Sequence, residues 1–160
     1  MFQYLMRELL ADTSVRSKNG LTLMHKAAME GNTYLITYLK YRLNFRIDDL
    51  DIDGNMPLHY ACYNLAEWAS IWLVGFGAKV NVKNTNGDSP LHMLLKSDQK
   101  QVSMKILKEL IFKGADKSQK NNQGYKPIDL LDNISDPVVA KEVKRILDDQ
   151  PLHIPCFQWT

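Results

Sequence analysis

An all-α solenoid of helix–turn–helix units with β-hairpin-like finger loops is the fold this sequence predicts. Two observations predict it. A short motif recurs as Thr22-Leu23-Met24-His25, Met56-Pro57-Leu58-His59 and Ser89-Pro90-Leu91-His92, with an altered fourth copy, Lys126-Pro127-Ile128-Asp129. The intervals between the final residues of these copies are 34, 33 and 37, and a period of this length marks a stacked array of one supersecondary unit. A glycine also stands five residues before each final residue, at Gly20, Gly54, Gly87 and Gly124.

The elements follow in order. Phe2–Leu10 has a helical pattern and Asp12–Gly20 a finger-like one, so residues 1–19 read as a partial N-terminal unit. A natural cap and a piece cut from a longer protein both fit that start. Repeats then span 20–53, 54–86 and 87–123, a C-terminal cap repeat spans 124–150, and 151–160 is a tail. Pro57, Pro90 and Pro127 suit the first turn of a helix, where a missing N–H costs nothing. Thr22 and Ser89 can cap orphan N–H groups. The second helices show apolar spacing near 3.6 residues: Leu35, Ile36 and Leu39; Ala69, Trp72 and Leu73; Ile106, Leu107, Leu110 and Ile111. Gly77 and Gly114 sit where those helices should stop, and Asn44 takes the same place in the first unit because it tolerates a left-handed backbone. The polar fingers Asp48–Asn55, Asn81–Asp88 and Lys117–Tyr125 are expected to pair weakly as hairpins. Asp98-Gln99-Lys100-Gln101 accounts for the longer third interval. Asn133–Asp149 reads as a loose second half of the last unit, which fits a terminal unit with a polar outer face.

These motifs make the chain resemble the ankyrin-repeat family over nearly its whole length. Ala27-Ala28 and Ala61-Cys62 match the family's small pair, which becomes Leu94-Leu95 and Leu130-Leu131 later. Gly77-Ala78-Lys79-Val80-Asn81 and Gly114-Ala115-Asp116 match its Gly-Ala-Asp-Val-Asn segment. Leu65 departs from it, since the family usually has Gly between the two helices, and a rearranged turn is expected there. The resemblance implies that His25, His59 and His92 are structural and hydrogen-bond turns between units, with Asp129 in the altered copy. It also implies no chemistry and a protein or peptide partner on the concave face of finger tips and first helices.

Position-matching to the family gives the contact residues. In unit one they are Arg16, Lys18, Asn19, Leu21, Met29 and Glu30. In unit two they are Leu50, Ile52, Asp53, Asn55, Tyr63 and Asn64, and this unit is the expected centre because Leu50, Ile52 and Tyr63 can anchor a partner. Lys83, Thr85, Asn86, Asp88, Lys96 and Ser97 follow in unit three, then Lys120, Asn122, Gln123 and Tyr125 in unit four. The same matching puts Tyr34, Tyr41, Trp68 and Ile71 on the convex face, a second contact for a flanking domain or a second copy. An alternative reading is a regulatory or substrate-recruiting domain of a larger protein, such as a membrane palmitoyltransferase or a channel, with catalysis outside this chain.

Composition bounds the rest. The chain has 160 residues, one domain's worth, with a formal charge of +2 and scattered basic residues, so nucleic acid is not indicated. It has no run of eighteen apolar residues for a membrane span. Arg7 and Glu8 inside the first apolar run argue against a signal peptide. Cys62 replaces a small core residue and Cys156 is far away, so thiols in an intracellular, cytoplasmic setting are expected. No cofactor is indicated. Regularly spaced histidines on stacked helices lie about 8–10 Å apart, too far to share zinc. Asp49-Leu50-Asp51-Ile52-Asp53-Gly54 begins like a calcium loop, but Tyr60 stands where the final Glu is required.

The interior units have two interfaces each. Leu58→Ala or Leu91→Ala should therefore cost roughly 2–5 kcal/mol as core truncations, and Leu152→Ala in the tail should cost less. Thermal unfolding of the three variants checks this; equal losses contradict it.

Overall fold

The computed structural model describes residues 15–97 and 102–148. The first helical pattern at Phe2–Leu10, the insertion Asp98–Gln101, Cys156 and the tail with Leu152 lie outside the described residues. Within them the chain is helical, with no strand.

The helix pairs begin where the motif puts them. In unit one, α1 is Leu23–Met29 and α2 is Thr33–Arg42. In unit two, α3 is Pro57–Tyr63 and α4 is Glu67–Gly75. In unit three, α5 is Pro90–Leu95 and α6 is Met104–Phe112. The last unit opens with a 3-10 helix, Pro127–Asn133, followed by α7, Pro137–Asp148. The first helices α1, α3 and α5 pack side by side, and the 3-10 helix continues their row; α2, α4 and α6 form a second row behind them. The core lies between the rows. It contains Met24, Ile36, Leu39, Leu58, Leu73, Leu91, Leu94, Ile106, Leu107 and Leu110, all essentially inaccessible.

Three expectations change. The second half of the last unit is not loose: α7 is the longest described helix, and it buries Val143 and Leu147 against the core while its other faces stay exposed or half-buried. Trp72, grouped by spacing with the core positions Ala69 and Leu73, is exposed instead. Ala69 and Leu73 are i and i+4 and fill the buried stripe of α4, which turns Trp72 to its outer edge. The fingers close weakly, like short hairpins, through two backbone bonds each: Asp51 N–H to Asn55 O and Gly54 N–H to Asp51 O, Asn84 N–H to Asp88 O and Gly87 N–H to Asn84 O, and Asn121 N–H to Tyr125 O and Gly124 N–H to Asn121 O, at 2.9–3.2 Å.

The turn at Leu65 is not rearranged. Leu65 takes φ +54°, close to Gly31 at φ +69° in unit one. The reason is closure: Ala66 N–H must reach Ala61 O, as Asn32 N–H reaches Ala27 O, both at 2.9 Å. A left-handed leucine costs about 1–2 kcal/mol, and packing of its half-buried side chain against the core offsets part of this.

Gly87 faces a harder constraint. It combines φ +77° with a neighbour so close that a Cβ would lie 2.6 Å from the Asn122 nitrogen, whereas one at Gly31 would meet only the Ala66 Cβ at 3.5 Å. Gly31→Ala should therefore cost about 1–2 kcal/mol from backbone strain alone. Gly87→Ala should cost roughly 3 kcal/mol or more, strain plus overlap. Urea unfolding of both variants checks the order, and equal losses contradict it.

Candidate functional site

The finger face is built from a repeated polar joint. One side-chain oxygen in each finger accepts the backbone N–H groups two and four residues ahead. Ser17 Oγ accepts from Asn19 and Leu21. Asp51 Oδ1 accepts from Asp53 and Asn55. Asn84 Oδ1 accepts from Asn86 and Asp88, and Asn121 Oδ1 from Gln123 and Tyr125. These self-closed turns are what Asx and Ser side chains favour. The position-matching missed them, although the signal was present: each anchor stands three residues before a finger glycine.

The motif histidines lock finger to finger. Each Nδ1 accepts a backbone N–H at the start of its own helix, from Thr22 at 3.1 Å, Met56 at 3.0 Å and Ser89 at 3.3 Å. Nδ1 is therefore unprotonated and Nε2 carries the hydrogen. His25 Nε2–H donates to Asn55 O at 3.0 Å, His59 Nε2–H to Val82 O and Asp88 O, and His92 Nε2–H to Tyr125 O at 3.1 Å. Both nitrogens are engaged, so the rings serve the backbone. Burial lowers the pKa of all three, and His59 is held down to about 4. Asp129 keeps half of the role: its carboxylate accepts Lys126 N–H at 2.8 Å but has no hydrogen to donate onward.

Side chains extend the joint between units. Asn84 Nδ2 donates to Asn55 Oδ1 at 2.8 Å, and Asn121 Nδ2 to Asp88 Oδ1 at 2.9 Å. Lys96 reaches both Asp88 oxygens at 2.7 and 2.8 Å. Tyr60 donates to Asp51 Oδ2 at 2.6 Å. Burial alone would raise the Asp51 pKa, but hydrogen bonds from Tyr60, Asn55 and Asp53 hold it below the usual carboxylate range. Burial and this carboxylate push the Tyr60 phenol well up.

This network corrects two of the contact residues. Asn55 and Asp88 are buried, Asp88 with 2% exposure, and their side chains are consumed between fingers. Ser97 is also buried. Tyr63, Asn64 and Lys96 are half-buried, with Asn64 donating to Met29 O. Leu50, Ile52, Asp53, Lys83, Thr85, Asn86, Lys120, Asn122, Gln123 and Tyr125 are exposed, as are Arg16, Lys18, Asn19 and Glu30. Several of these also brace neighbours: Arg16 donates to Leu50 O, Lys83 to Lys120 O, and Asn122 Nδ2 to Thr85 O.

On the opposite side, Tyr34, Tyr41 and Trp68 are exposed and Ile71 is half-buried. Phe76 joins Tyr41 and Trp72, with ring centroids 5.4 Å away in each pair. A groove of about 1050 Å³ runs between α6 and α7, floored by Ile111, Ala115, Ile128 and Leu147 and rimmed by Lys108 and Arg145. It too was absent from the sequence reading, because it depends on where α7 lies. Among the described residues no three His, Cys, Asp or Glu side chains group as metal ligands, and no helix is long and apolar enough to cross a membrane. Cys62 is a buried free thiol that burial pushes up to about 12.

A family model of ankyrin repeats in three copies matches residues 1–84, over half of the chain. The chain belongs to the ankyrin-repeat family. Ankyrin repeats are non-catalytic interaction modules. This one is similar to the target of rapamycin complex 2 subunit AVO2 of Saccharomyces cerevisiae, 31% identical over 82% of this chain and 32% of that protein. It is also similar to the palmitoyltransferase AKR1 of Lachancea kluyveri, 36% identical over 71% of this chain and 15% of that protein. The probable palmitoyltransferase AKR2 of Saccharomyces uvarum is 30% identical over 69% of this chain and 15% of its own length. The ankyrin chain thus spans under a third of these curated relatives.

The imidazoles give the ankyrin stack a pH dependence of definite sign. His59 titrates at about 4 when folded against an ordinary 6.5. Between these values the unfolded chain binds more protons, so stability is level above pH 6.5 and falls as pH drops toward 4. His59 alone should remove about 2 kcal/mol between about pH 7 and pH 5. His25 and His92 act with the same sign, while Asp51 stays ionised at the lower pH. Urea midpoints measured at these two pH values check this. The midpoint should fall, and less so in His59→Gln; equal midpoints contradict it.

Proposed function

We propose that this chain binds a protein or peptide partner through the concave finger face, centred on the second finger. One observation carries the reading. Leu50 and Ile52 project into solvent, Ile52 with 65% exposure, from a turn whose middle residue, Asp51, is buried and tied to Asn55, Asp53 and Tyr60. The apolar pair is held out and cannot fold inward without breaking those bonds. Anchors already fixed in place lose little freedom on binding, which favours affinity. Thr85, Asn86 and Asn122 continue the face with polar contacts.

A second reading places this module inside a larger protein as its regulatory or substrate-recruiting part. The similarity to palmitoyltransferases, of which the chain spans 15%, favours it. Catalysis would then belong to other segments. Cys62, a buried free thiol, supports an intracellular, cytoplasmic setting for either reading. The length of the transcript's reading frame separates the two readings.

Capture of partners by the intact chain, wild type against Ile52→Asp, tests the proposal. Ile52 keeps its backbone bond to Asn19 O in the variant, so the melting temperature should hold. Specific partners should be depleted at least about tenfold, the scale of a lost anchor. Partners captured equally by both proteins contradict a contact centred on the second finger.

A further inference from the structure

We propose that the convex face of the second helices docks flat on an anionic lipid surface. Three facts carry this, none of them used by the finger face.

The first is the aromatic content of one layer. Tyr34 and Tyr41 on α2, Trp68 and Trp72 on α4 and Phe112 on α6 are all exposed, Trp68 at 63% and Phe112 at 80%. The second helices pack in sequence, α2 on α4 and α4 on α6, so the face is about 20 Å across at ordinary helix spacing. The Tyr41, Phe76 and Trp72 rings tie the first two helices together edge to face. Tyr and Trp have apolar bodies with polar tips, the chemistry enriched where a bilayer meets water.

The second is charge. Arg42 on α2, Lys105 and Lys108 on α6 and Lys113 just after it are exposed, and Lys40 is half-buried among them. The acids on the same helices are Glu67 and Glu109; Glu67 is paired with Lys105 at 3.0 Å. Hydrogen bonds from Ser103 and Lys105 keep the Glu67 carboxylate below its usual range. The face is therefore net positive. Two copies placed face to face would oppose their basic rims, which argues against self-association. An anionic surface complements the rim, with about 1 kcal/mol per basic residue near it.

The third is the arrangement of the two groups. Lys105 Nζ lies 5.8 Å from the Trp68 ring centroid, and Lys113 Nζ 5.9 Å from that of Phe112. Cations stand beside the aromatic bodies, so headgroup and interfacial contacts come from one plane. The depth available is a side chain's, which fits surface docking.

The experiment is co-sedimentation of the intact chain with phosphatidylcholine vesicles, with and without phosphatidylserine, at low and high salt. Partition should be at least tenfold higher with phosphatidylserine and should fall with salt. Trp68→Ser/Trp72→Ser and Lys105→Glu/Lys108→Glu should each lower it, the charge pair by roughly twentyfold or more, while each variant keeps the wild-type helical circular dichroism at the assay temperature. Ile52→Asp should leave it intact, which separates this proposal from the finger-face reading. Equal partition into neutral vesicles, or partition indifferent to either double variant, overturns the proposal. So does absent partition accompanied by binding of an acidic, leucine-rich amphipathic peptide that shifts tryptophan emission and depends on Trp68 and Lys105; the face then belongs to a protein.

Discussion

The neutral imidazole between adjacent units is the constraint on which this structure depends. Its Nδ1 ties the ring to the start of its own helix, and its Nε2–H reaches a carbonyl at the base of the next finger. One ring thus fixes two things at once, where a helix begins and where the next unit sits. The fingers can dispense with strand pairing because this bond and the Asx or Ser turns leave few backbone groups unsatisfied. A charged ring could not serve, since Nδ1 would then carry a hydrogen facing another N–H. The desolvated site that lowers the histidine pKa values also preserves the tautomer that the stack requires.

Much of this was legible in the sequence because period and helix starts are backbone properties. Proline at the first turn, glycine five residues ahead of each histidine and the apolar pairs all refer to local geometry, and local geometry repeats. What was not legible depends on non-local closure. Position-matching ranked Asn55 and Asp88 as surface contacts because it counts positions along a finger; their burial comes from bonds to Asn84 and Asn121 in the following fingers. Trp72 fits a helical period with Ala69 and Leu73, but the period leaves the edge of a buried stripe undefined by about one residue. The helix Pro137–Asp148 was hidden by the polar stretch before it, although Val139, Val143, Ile146 and Leu147 have helical spacing.

The two faces of the stack differ in kind. On the finger side, side chains are cross-braced by hydrogen bonds, and the apolar positions, Leu50 and Ile52, are few and fixed. On the helix side, aromatics and lysines stand out from regular helices, several of them paired with one another or with Glu67. The first arrangement suits discrimination among partners, where misplaced polar groups are penalised. The second suits a surface that varies in detail and is uniform in charge. The core between them insulates one from the other, so substitutions on either side should act independently.

Leu65 has a consequence for motion. Its left-handed backbone holds strain in the turn that joins α3 to α4, while the equivalent turn in unit one has glycine. Strain present only in the closed turn lowers the free energy needed to open it. The second unit, with neighbours on both sides, would otherwise be the most protected part of the array. Strain at its helix–helix turn works against that protection, so amides of Leu65 and Ala66 are expected to exchange with solvent sooner than those of Gly31 and Asn32. The strained turn thus lies at the rear of the unit that carries Leu50 and Ile52 at its front.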